Sequence, residues 1–133
     1  MITKPGEEKL NEATLAHSTT TTASDCESQS LVKAASLAVE GVVTFHASAT
    51  GAVRFHVRAS ITDDDTSFDQ AVDIGADQDG YFDVPVTQGA TVRATAPFGH
   101  EALNVRIFAE NLDGVYAATN VIANVIVQEI EPT

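Results

Sequence analysis

Histidine, aspartate and cysteine have the most chemical reach in this chain, and their spacing limits what they could do. The four histidines are His17, His46, His56 and His100. His46 and His56 fall on the same parity of two adjacent alternating runs, together with Arg54 and Arg58. If those runs pair, the two imidazoles sit across from one another and could share a metal ion. The plainer reading is a solvated sheet face, on which Arg and His offset an acidic protein or meet an acidic partner. The carboxylates form a second group: Asp63, Asp64, Asp65 and Asp69, then Asp73, Asp77 and Asp79. Such oxygen clusters hold calcium. Asp77-x-Asp79-Gly80 matches part of a calcium loop, which makes Asp77 and Asp79 the metal candidates. The acidic residue required upstream and the Glu at the loop end are both missing, so solvated loop charge is the simpler account. Cys26 is the single cysteine, so an internal disulfide is ruled out and a passive thiol is expected. There is no Gly-x-Ser-x-Gly, no His-Glu-x-x-His and no phosphate-cradling glycine loop. The chain is therefore expected not to be an enzyme and to use no cofactor.

The elements that must position these residues are strands. From residue 37 to 47 the odd positions are Leu37, Val39, Gly41, Val43, Phe45 and Ala47, and the even ones include Glu40, Thr44 and His46. From 53 to 60, Val53, Phe55, Val57 and Ala59 alternate with Arg54, His56, Arg58 and Ser60. A period of two sends successive side chains to opposite faces. The short connection around Gly51 predicts that the two runs pair as an antiparallel hairpin. The chain before them starts with a polar segment, followed by four consecutive threonines, Thr19, Thr20, Thr21 and Thr22. Branching at Cβ favours a strand there. Residues 1–30 are expected to form an extended arm with a Thr-rich strand, lying on its own sheet or on a neighbouring subunit, and residues 31–133 a β-sandwich domain.

Further along, Phe68, Val72 and Ile74 predict a short strand. Another starts at Tyr81 and stops near Pro85, which favours a sheet edge. Strands are also expected at 91–96, 103–110 and 119–130. The last is apolar on both faces: Val121, Ala123, Val125 and Val127 on one, Ile122, Ile126 and Ile130 on the other. Such a strand is central, or a partner covers its outer face. About eight strands at short spacing with no evident helix predict an all-β, two-sheet antiparallel β-sandwich of jelly-roll or immunoglobulin-like type.

Composition bounds the partners. The 133 residues suit one domain. Nineteen acidic residues against seven basic ones give a net charge of -12. That repels phosphate backbones and anionic bilayers, so neither nucleic acid nor membrane is expected as a partner. Lys is scarce, and Asp, Ala, Thr and Val are frequent, a balance that fits molar salt, where self-repulsion is screened within a few ångström. The N-terminus lacks the apolar run of a signal peptide and nothing is long enough to span a bilayer, so synthesis in the cytoplasm is expected.

The layout resembles the small β-sandwich virion proteins of tailed viruses of bacteria and archaea. The residues that carry it are the Thr-rich strand, Val43-Thr44-Phe45-His46, and Val53-Arg54-Phe55-His56-Val57-Arg58-Ala59-Ser60. The acidic loop up to Phe68-Asp69, the run from Val105 to Asp113, and Ala118-Thr119-Asn120-Val121 also match. Where such proteins often carry an Asp-Gly turn, Asp63-Asp64-Asp65 stands instead. With the halophilic composition, the resemblance implies a virus of a haloarchaeon. It also implies a capsid decoration or neck or tail protein, located in the virion, with major capsid or neck and tail proteins as partners and a homo-oligomeric state. Thr19 to Thr22 and Ile122, Ile126 and Ile130 would be its interface residues. The alternative is a glycan- or receptor-binding module using the loop aromatics Phe68, Tyr81, Phe98 and Tyr116.

Overall fold

A computed structural model of the chain describes residues 2–3, 6–32, 34–74, 80–98 and 104–129. Asp77, Asp79, His100 and Ile130 lie outside the described residues. The elements are β1 (Ile2–Thr3), β2 (Glu7–Leu15), a 3-10 turn (Ala23–Asp25), β3 (Gln29–Ser30), β4 (Ala34–Thr44) and β5 (Val53–Ser60). They continue with α1 (Asp65–Gln70), β6 (Tyr81–Val84), β7 (Thr91–Phe98), β8 (Asn104–Asn111) and β9 (Ala118–Glu129). These strands build two sheets, all of whose pairings are antiparallel. In the larger, β9 lies between β4 and the N-terminal strands β1 and β2, and β7 forms the far edge. The smaller runs β3-β8-β5-β6. The chain is an all-β, two-sheet antiparallel β-sandwich.

The core is the space between the sheets. Leu37, Val39 and Val43 of β4 and Val121, Ala123, Val125 and Val127 of β9 face Val53, Phe55 and Val57 of β5 and Val105, Ile107 and Ala109 of β8. Alternation along each strand puts these residues on one face. Across the middle of the larger sheet, Ala94, Gly41 and Ala123 stand in one row. The Phe55 ring enters the trough they leave, since a Cβ on Gly41 would lie 2.6 Å from it.

The expected hairpin of residues 37–61 does not form. β4 pairs with β7 and β9, and β5 with β6 and β8, so the two strands belong to opposite sheets. Both have a strongly apolar inner face, and two such strands bury more area packed face to face than side by side. The connection arches between sheets, with Phe45 and Ala49 buried beneath it. This also separates His46 from His56, which cannot share a metal ion.

Two other expectations change. The Thr run carries a single bridge, Thr20 to Glu110, rather than a strand. Its last member opens the 3-10 turn, where the Asp25 carboxylate accepts from Thr22 N and Oγ1, both at 2.9 Å. Residues 68–74 hold most of α1 rather than a strand. Asp64 caps that helix by accepting from Ser67 N at 2.7 Å. The N-terminal segment runs along its own sheet: β2 pairs with β9, and Leu10, Leu15, Ala23 and Cys26 join the common core.

Candidate functional site

The outer face of the smaller sheet collects the cations of β5 and β8, and each is engaged by the chain itself. Arg54 donates to Asp83 through Nε at 2.8 Å and Nη2 at 3.2 Å, with its guanidinium 4.2 Å from the Tyr81 ring centre. His56 stands between two carboxylates, Nδ1 at 2.9 Å from Asp73 and Nε2 at 3.0 Å from Glu110. Both bonds form together only when both ring nitrogens carry hydrogen. Arg58 lies 4.4 Å over Phe108, its Nε 3.6 Å from Asp73. Each cation thus has an acid and an aromatic ring beside it, an arrangement that steadies a sheet face in a strongly acidic chain.

Arg106 is the buried member of this series. Its Nε donates to Ser28 Oγ at 2.9 Å, and Nη1 to Ala23 O at 2.6 Å and Asp65 at 2.7 Å. Nη2 reaches Asp63 at 3.3 Å, and the guanidinium stacks 4.6 Å over Phe68. Ser28 in turn donates to Asp63. The Ser28 hydroxyl, with Arg106 behind it, holds the Asp63 carboxyl below its ordinary range. One guanidinium therefore pins the acidic loop, α1 and the 3-10 turn to the sheet. The aspartates read as calcium candidates are used this way: Asp63 and Asp65 on Arg106, Asp64 as helix cap, and Asp69 accepting from Ala23 N at 3.0 Å. Among the described residues, no three His, Cys, Asp or Glu side chains group as a metal site.

The outer face of the larger sheet has a different character. Ala38, Glu40 and Val42 of β4 stand opposite Ile126, Asn124 and Ile122 of β9. Glu40 accepts from Arg93 at 3.2 Å and Asn124 at 3.1 Å. Gly6, Ala38, Glu40, Thr95, Asn124 and Ile126 line a shallow depression of about 360 Å³. Ile126 is exposed and Ile122 half-buried.

The expected interface residues divide. Ile122 and Ile126 share this face. Thr21 is turned into the chain's own core, its hydroxyl accepting from Ala109 N at 3.1 Å. Thr20 is half-buried on Glu110, whereas Thr19 and Thr22 are exposed. Of the loop aromatics, Phe68 is fully buried, and Tyr116 stacks on His46 at 4.3 Å. Burial pushes the Cys26 thiol up to about 12, so it carries no thiolate near neutrality.

Asp113 gave no signal in the sequence beyond a turn. Its carboxylate accepts from the backbone N–H groups of Thr50 (2.7 Å), Gly51 (3.0 Å), Val115 (2.8 Å) and Tyr116 (2.8 Å). These four donors hold it well below the usual carboxylate range. The Asn111-x-Asp113-Gly114 spacing, which places short acceptors beside a turn, is the cue that marks it. Comparison with protein-family models, with curated proteins and with solved structures finds no match to this chain.

Proposed function

We propose that this chain is a non-enzymatic structural protein of a virion, a capsid decoration or a neck or tail component, acting by subunit assembly at high salt. The observation that carries the reading is the contrast between the two outer faces. The smaller sheet is covered by its own acidic loop, α1 and Thr run, bound through Arg106. The larger sheet leaves Ile122 and Ile126 uncovered beside Ala38 and Val42. In a chain of net charge -12, an apolar strip on a flat sheet is the surface on which a neighbouring subunit can sit. Molar salt removes the repulsion that otherwise opposes the approach of two such acidic bodies.

The virion part is tested by immunogold labelling of virus particles from cells that produce the chain. Label on intact particles supports the reading. Label confined to unassembled protein in the cell contradicts it.

A further inference from the structure

Every long strand runs between the same two ends of the sandwich, and the ends differ in charge. At one end lie the loops 16–19, 45–52, 85–90 and 112–117. Of the chain's 19 acidic residues, these loops contain only Asp113, which is buried and bound to four backbone N–H groups. No carboxylate of these loops faces solvent. What does is apolar or neutral: Val115 at 68% exposure and Leu112 at 38%, beside the His46–Tyr116 stack.

The opposite end follows the last residues of β5. Ile61 comes directly after the strand, its carbonyl bound by Asn104 of β8, and is 80% exposed. Val72 is 80% exposed too, next to Asp73, which bridges to Arg58 near the same strand end. These aliphatic groups stand amid Asp63, Asp64 and Asp73.

We infer that the acid-free loop end docks onto the acid-rich end of a second copy, stacking sandwiches head to tail. Two acid-rich ends cannot meet without setting like charges against each other. Joining unlike ends avoids that clash, buries Val115 and Leu112 against Ile61 and Val72, and gives the carboxylates a neighbour that brings no anions. The contact is heterologous, so each copy keeps one free end and the stack extends or closes into a ring. It uses neither Ile122 nor Ile126 and stands apart from the sheet-face reading.

The test is sedimentation velocity in molar KCl on the Ile126→Glu protein, which silences the sheet face. The expected result is a concentration-dependent series of dimers and longer stacks. Adding Val115→Glu or Ile61→Glu should reduce each protein to monomer. Mixed, the two should form a dimer that grows no further, because one supplies the live loop end and the other the live acid-rich end. Circular dichroism melts matching the parent establish that these exposed substitutions leave the fold intact. Three results overturn the inference: a folded Ile126→Glu protein that is monomeric at every concentration, a mixture that stays monomeric, or loss of association with Val115→Glu but not with Ile61→Glu. The last would mean that loop ends meet each other. A monomeric Ile126→Glu protein leaves the sheet face untouched as an interface, so the two ideas fail separately.

Discussion

Asp113 ties two loops together with one side chain, gripping residues 50–51 from the connection between sheets and residues 115–116 from its own turn. Only the carboxylate can accept from all four donors; an amide would turn an NH2 toward two of them. Asp113→Asn should therefore lower the melting temperature near neutral pH, with the connection 45–52 the first segment to exchange its amide hydrogens. Because the folded carboxyl titrates below the unfolded one, its contribution is complete above the unfolded value of about 3.9. It is lost as pH falls from there toward the folded value. Wild-type stability should thus fall on acidification below that point, and the variant should show less of this fall. An unchanged melting temperature in Asp113→Asn at neutral pH would remove the role given to it. Arg106 makes the complementary point. Its burial could not be read from alternation alone, because that places it on the solvent face of β8. What covers it, Ser28, Ala23 and Asp65, comes from distant parts of the chain.

At the scale of elements, alternation was the legible signal and pairing was not. Val53, Phe55 and Val57 against Arg54, His56 and Arg58 mark a strand and its buried face, but a period of two says nothing about which strand lies alongside. That choice depends on side-chain volume across the sandwich. The Phe55 ring needs a trough, and the row Ala94, Gly41, Ala123 supplies one only if β4 and β5 lie in opposite sheets. Gly41→Val should cost about 1–3 kcal/mol by overpacking. Combining it with Phe55→Leu should recover part of the loss, since the smaller side chain vacates the same space. Strictly additive denaturation energies would show that the two residues do not share it. α1 was missed because Phe68, Val72 and Ile74 fit a strand as well as a helix over so few residues. The capping residue Asp64, three positions before Ser67, was the cue available.

At the scale of the whole molecule, charge is the dominant property. A net charge of -12 on one sandwich opposes compactness through self-repulsion. Screening shortens from about 10 Å at 0.1 M salt to about 3 Å at 1 M. The melting temperature should therefore climb steadily as KCl is raised into the molar range. A melting temperature that does not move with KCl would contradict adaptation to brine. The acidity and the two-faced apolarity of the last strand were visible in the sequence. The bareness of one outer face and the cover on the other were not, because cover depends on where Arg106 gathers the acidic loop. The claim that rests on this difference is assembly through Ile122 and Ile126. Its most direct test is light scattering in molar KCl on the Val115→Glu protein, in which only the sheet face remains available. The account predicts a defined oligomer that falls to monomer when Ile126→Glu is added. A folded Val115→Glu protein that is monomeric at every concentration would contradict it.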